Sequence, residues 1–192
     1  MHKPYFWLTT IILASFLTGC TGSAAAQSNE IPPTSAPAIA EPTTAFEVVS
    51  KDPPKDCPLT IPQDPPFTPP TPYDALGFKG EFWFGSNSLW TAVRENGIWA
   101  DLPHNPEGYT QKVFWWREGY SVSAEPEPNL TVTGERLDAK APPLVASKAT
   151  NASAGDIGSA MLVGVDLPTL GCWKITGKYK DAELSFVVWV AP

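Results

Sequence analysis

The chain predicts an all-β fold: an antiparallel β-sandwich of Ig-like type, with eight or nine short strands behind a Pro-rich N-terminal segment. Three observations carry that prediction. From Tyr73 onward, runs of roughly four to nine aromatic and β-branched residues alternate with turn-forming residues. No stretch holds a 3.6-residue apolar period, so no amphipathic helix is expected. Two turn signals, Asn96-Gly97 and Lys180-Asp181, stand between apolar runs. Many short strands with turns at close intervals suit a two-sheet sandwich.

Strands are expected near 80–84, 88–94, 97–102, 111–117, 130–137, 143–149, 158–166, 172–179 and 182–190. Asn-Gly is a strong two-residue hairpin signal because both central residues of a type I′ turn need positive φ. Such a loop would pair Glu95 with Ile98, Arg94 with Trp99 and Val93 with Ala100. One face of that hairpin carries Leu89, Thr91, Val93, Ile98, Ala100 and Leu102, which reads as core. The other carries Trp90, Ala92, Arg94, Trp99 and Asp101, with a cross-strand cation–π contact expected between Arg94 and Trp99.

The C-terminal hairpin runs from Cys172 to Tyr179, turns at Lys180-Asp181 and returns from Leu184 to Val190. Trp173, Ile175 and Tyr179 share a face by the period of two. The return strand is apolar on both faces, as for an interior strand or one covered by the N-terminal segment.

Upstream, 13 of the 22 prolines fall between Ile31 and Pro72, among Ser, Thr and Ala. A segment so poor in apolar residues does not offset its ordering entropy, so 20–56 is expected to be a disordered tether. Residues 57–192 form the expected sandwich domain, with 57–72 an extended segment pinned to it. At about 3.1 Å per residue, such a tether reaches on the order of 100 Å.

The first nineteen residues read as a leader. Lys3 precedes an apolar run from Phe6 to Leu17, which is shorter than the ~20 residues that span a bilayer. Leu17-Thr18-Gly19-Cys20 resembles the bacterial lipobox, a resemblance that implies lipidation at Cys20 and a membrane-held mature N-terminus in the cell envelope. An ordinary signal peptide cut after Ala24-Ala25-Ala26, giving a secreted protein, is the alternative. The lipobox accounts better for an apolar run that stops directly before Leu17-Thr18-Gly19-Cys20.

Removing Cys20 from the thiol count leaves Cys57 and Cys172, an even pair in an oxidising compartment, and a disulfide is expected. A metal site is the competing reading. It would have one mature histidine, His104, and no Cys-x-x-Cys spacing, so neither metal nor cofactor is expected. The whole chain carries 13 basic and 20 acidic residues, a net charge of −7. Clustered Lys and Arg for phosphate are lacking, so a nucleic-acid partner is not expected.

The segments Cys57-Pro58-Leu59-Thr60, Ser88-Leu89-Trp90, Phe114-Trp115-Trp116-Arg117, Leu130 to Asp138, Ala141-Pro142-Pro143-Leu144 and Gly171-Cys172-Trp173-Lys174-Ile175-Thr176-Gly177, with Phe186-Val187-Val188, resemble an uncharacterised family of secreted bacterial proteins and lipoproteins. The family pattern carries an acidic residue where this chain has Lys174. The resemblance implies a shared fold and an extracytoplasmic setting, and brings no catalytic residue or ligand.

Catalytic patterns are not evident. The chain has no GxSxG elbow, phosphate-cradling glycine loop, HExxH or Asp-rich calcium loop. His104 sits in a proline-bounded loop, and Glu125 and Glu127 alternate with prolines as a solvated stretch. No enzyme is expected, with a secreted hydrolase as the remote alternative. Phe82-Trp83-Phe84 and Trp115-Trp116 put aromatics on both faces of their strands. Trp90, Trp99 and Trp115 (or its neighbour Trp116) are therefore candidates for an exposed platform that binds a glycan or another envelope protein. Packing under covering loops is the competing reading, and with it an accessory lipoprotein without a dedicated ligand.

Overall fold

The computed structural model describes residues 49–75 and 78–192. The expected leader, the Cys20 lipidation site and the tether up to residue 48 lie outside them. Among the described residues eleven strands form: β1 (Glu81–Ser86), β2 (Leu89–Arg94), β3 (Ile98–Trp99), β4 (His104–Asn105), β5 (Gly108–Trp116), β6 (Leu130–Arg136), β7 (Val145–Ala146), β8 (Thr150–Ala154), β9 (Gly158–Leu167), β10 (Gly171–Tyr179) and β11 (Ala182–Val190). They make two sheets. The first runs β1-β2-β5-β9-β7, with β4 also paired to β5 and β8 to β9; the second runs β3-β11-β10-β6.

The predicted sandwich is present, with eleven strands instead of eight or nine. The extra elements are short or weakly patterned. β4 is two residues long, and β8 is Thr150-Asn151-Ala152-Ser153-Ala154, with a single β-branched residue. The strand expected over 143–149 forms only at β7. Beyond it the Ser147 hydroxyl accepts the Gly164 amide at 2.9 Å, and β8 resumes along the same neighbour, β9.

The C-terminal hairpin forms in the expected register, Tyr179 opposite Ala182 and Cys172 opposite Trp189, with Lys180 at a φ of 54° in the turn. Its inner face carries Trp173, Ile175, Tyr179, Phe186, Val188 and Val190, all buried between the sheets. Its outer face packs Cys172 and Trp189 against Cys57, Leu59 and Val49.

The Asn96-Gly97 hairpin does not form. The turn is there: the Gly97 amide donates to the Arg94 carbonyl at 2.8 Å, and the Asn96 side chain accepts the Ile98 amide at 3.0 Å. Only Gly97 has positive φ (66°), however, where a type I′ turn requires two such residues. The chain then crosses to the other sheet, and β3 pairs in parallel with β11, Ile98 opposite Trp189. The physical reason is burial of Trp99. On a hairpin it would face outward beside Trp90; after the crossover it packs edge-on against Phe186 in the inter-sheet core at 6.1 Å. Burying an indole contributes roughly 4 kcal/mol, more than a two-residue turn preference. The crossover inverts the expected faces, so Ile98 and Ala100 lie under the N-terminal segment. The expected Arg94–Trp99 pairing is lost with the hairpin, and Arg94 instead donates to the Ile98 carbonyl at 3.4 Å.

The Pro-rich segment is a strap from Val49 onward, so the ordered domain begins before the expected boundary at 57. The Ser50 carbonyl accepts the Trp189 indole N–H at 3.2 Å, and Thr60 exchanges hydrogen bonds with Val187. The Cys57–Cys172 disulfide fastens this stretch to β10 across a separation of 115 residues. Farther on, Phe67, Tyr73 and Phe78 cover the outer face of the first sheet.

Beside the disulfide, the nearly buried Arg136 pairs with Asp138 at 2.8 Å, and Asp138 accepts the Cys172 amide at 3.1 Å. Burial pushes the Asp138 carboxyl up, but the Arg136 guanidinium and the Cys172 amide outweigh it and hold the group below its ordinary 3.8. A depressed carboxyl contributes stability above its unfolded value and loses it as pH falls through the folded value. Stability should therefore decline as the pH drops below about 3.8. Asp138→Asn should shrink that acid limb and cost about 2 kcal/mol at neutral pH. Urea melts at pH 7 and pH 3 check both, and an undiminished limb in the variant counts against this role.

Candidate functional site

The three candidate platform residues are not at the surface. Trp90 is 0 %, Trp99 5 % and Trp115 0 % exposed. Trp99 and Trp115 belong to the inter-sheet core, while Trp90 lies on the opposite side of its sheet beneath Phe67 and Tyr73. Trp116 is also buried, its indole N–H donating to the Ile157 carbonyl at 2.8 Å. The platform expectation is corrected on this point: the strap covers the outer aromatics, and the crossover takes Trp99 inside.

The same crossover opens a cleft. β2 pairs with β5 only at Trp90–Trp116 and Thr91–Trp115. Beyond Thr91, β3 has left for the other sheet and no strand fills the divergence between β2 and β5. The resulting hollow, about 300 Å³, is lined by Phe78, Glu81, Arg94, Trp99, Lys112 and Phe114 among others. A volume near 300 Å³ is at the small end of ligand sites.

The backbone along the cleft is partly capped from within. The Thr110 amide donates to the Pro103 carbonyl, away from β9, so by parity the amide groups of Lys112 and Phe114 also face the opening. The Gln111 side chain accepts the Lys112 amide at 2.9 Å, and the Thr91 hydroxyl donates to the Phe114 carbonyl at 2.7 Å. These side chains substitute for the missing strand.

Glu81 and Arg94 are directly opposite across β1 and β2. No hydrogen bond or ion pair engages the Glu81 carboxylate among the described residues. Burial pushes its carboxyl above the ordinary range, and the Arg94 charge pulls it part of the way back. Glu81 is thus a half-buried acid that feels the Arg94 charge and accepts no hydrogen bond among the described residues, a combination found at functional sites and in structural charge pairs alike.

Other candidates resolve into structure. Glu125 and Tyr179 form a clasp that takes no part in the cleft lining. The Tyr179 hydroxyl donates to Glu125, Lys180 lies over the Tyr179 ring at 4.8 Å, and Arg117 pairs with Asp181 at 2.7 Å. The Tyr179 hydrogen bond holds the Glu125 carboxyl below its ordinary value, while burial, then that same bond, raises the Tyr179 hydroxyl. Glu127 pairs with Lys148 at 2.6 Å on the surface. His104 stacks edge-on against Tyr109 at 4.6 Å, and the hollow beside it is lined by Val49, Arg136, Pro168, Thr169 and Leu170, with no carboxylate. Among the described residues no group of His, Cys, Asp and Glu is placed to hold a metal, and no helix is long and apolar enough to cross a membrane.

Fold and site together define an all-β sandwich with a strapped outer face and one polar-aromatic cleft beside its chain crossover. No family model, curated protein or solved structure matches the chain.

Proposed function

We propose that this chain is an extracytoplasmic lipoprotein, held in the cell-envelope membrane through lipid on Cys20, that displays a non-catalytic Ig-like sandwich domain to an envelope glycan or another envelope protein. The carrying observation is the Cys57–Cys172 bridge. Such bonds persist in oxidising compartments. It also leaves Cys20 as the remaining cysteine, directly after Leu17-Thr18-Gly19. The bridge fastens the strap to the domain, so a pull on the tether is delivered to β10. Lipid chains contribute about 0.8 kcal/mol per buried methylene, and more than one chain anchors stably.

Cell fractionation tests the anchor. Cys20→Ala should move the protein from the membrane to the soluble fraction; a variant that stays with the membrane would overturn the reading. Burial of Trp90, Trp99 and Trp115 favours a second reading, an accessory lipoprotein without a dedicated ligand. The cleft distinguishes the two.

A further inference from the structure

The first sheet is split where β2 and β5 part, and the split combines features that packing alone does not require. The chain as a whole is acidic, at −7, yet the cleft carries Arg94 and Lys112 against the single acid Glu81. The adjoining hollow adds one charge of each sign, Lys79 and Glu95, and leaves that local excess unchanged. A net-positive cleft on a net-negative protein selects for an anionic ligand.

The remaining groups narrow the class. Arg94 spends one N–H on the Ile98 carbonyl and keeps further donors in a planar fork suited to a carboxylate. The carboxylate of Glu81 is free to accept from hydroxyl donors. Phe78 and Phe114 stack with an interplanar angle of 26° and present apolar surface beside the charged groups. Gln111 and Thr91 already cap the β5 backbone, which disfavours an added peptide strand. A compact ring with an apolar face, several hydroxyls and one negative charge meets all of these groups.

We infer that the β2–β5 cleft binds a carboxylated saccharide, with Arg94 taking the carboxylate, Lys112 adding positive charge at the rim, Glu81 accepting ring hydroxyls, and Phe78 and Phe114 covering the ring. The inference deepens the display reading above and names the chemistry of its glycan.

The test uses the full chain in detergent micelles, titrated with trigalacturonate, with the neutral trisaccharide galactotriose, with acetate and with a glutamate tripeptide. Trigalacturonate should bind at least about tenfold more tightly than any of the other three. Its affinity should fall as salt is raised. Arg94→Gln should weaken it about tenfold and the exposed Lys112→Gln about threefold, the latter with its thermal melt unchanged. Equal binding of galactotriose or of the peptide, absence of trigalacturonate binding, or full affinity in the Lys112→Gln and Arg94→Gln variants would overturn the site. The binding assay and the Cys20→Ala fractionation are separate readouts, so the cleft and the anchor fail independently.

Discussion

Replacing both Cys57 and Cys172 with serine should cost the domain about 4 kcal/mol. The bridge spans 115 residues, and closing a loop of that size removes roughly 4–5 kcal/mol of chain entropy from the unfolded state. The folded state has its own stake. Cys172 is fully buried, and its cluster includes Cys57, Trp189 and Ala191 beneath the strap. At about 3 °C per kcal/mol for a domain of this size, the melting temperature should fall by about 12 °C. Reduction of the native protein should give a similar drop. The stretch from 49 to 60 should loosen first, because its remaining ties are few: the Ser50–Trp189 hydrogen bond, the Thr60–Val187 pair and the Val49 and Leu59 side chains. Limited proteolysis of the reduced protein should therefore cut between 49 and 60 before the sheets melt. A melt unchanged by reductant would show that packing alone holds the strap.

The strap also explains which parts of the fold were legible in the amino-acid order. The C-terminal hairpin was readable because turn, alternation and burial agree there, and Tyr179 meets Ala182 as expected. The disulfide was readable by counting. At Asn96-Gly97 the local turn signal and the global demand disagree, and burial of Trp99 decides the path of the chain. The period of two correctly put aromatics on both faces of β5, with Trp115 inward and Trp116 outward. What covers the outward set was hidden, because Phe67 and Tyr73 lie in a stretch that reads by composition as a linker. Proline there rigidifies a covering segment and does not free it. The cleft was not legible at all. It exists only because a crossover removes one strand from beside β2, and no local pattern encodes that absence.

Each residue type in the Gly-Cys-Trp-x-Ile-Thr-Gly block answers to a contact in the fold, and its last glycine is tightly constrained. Cys172 makes the bridge, while Trp173 and Ile175 fill the core. Gly177 stands opposite Val132 on one side and Leu184 on the other, and the Trp115 indole lies against its backbone. A Cβ built there would stand 2.5 Å from two Trp115 ring carbons. The ring has little room to retreat, since it is fully buried and packs against Phe186 at 5.8 Å. Gly177→Ala should therefore cost about 3 kcal/mol, at the upper end for overpacking, even though alanine stiffens the unfolded chain. Trp115→Leu should cost a similar amount by leaving a cavity. The double variant should cost clearly less than the two together, because the smaller side chain makes room for the added methyl. Urea denaturation of the four proteins measures this coupling. Additive losses, or a Gly177→Ala variant within about 0.5 kcal/mol of the parent, would mean that Trp115 does not set the requirement for glycine.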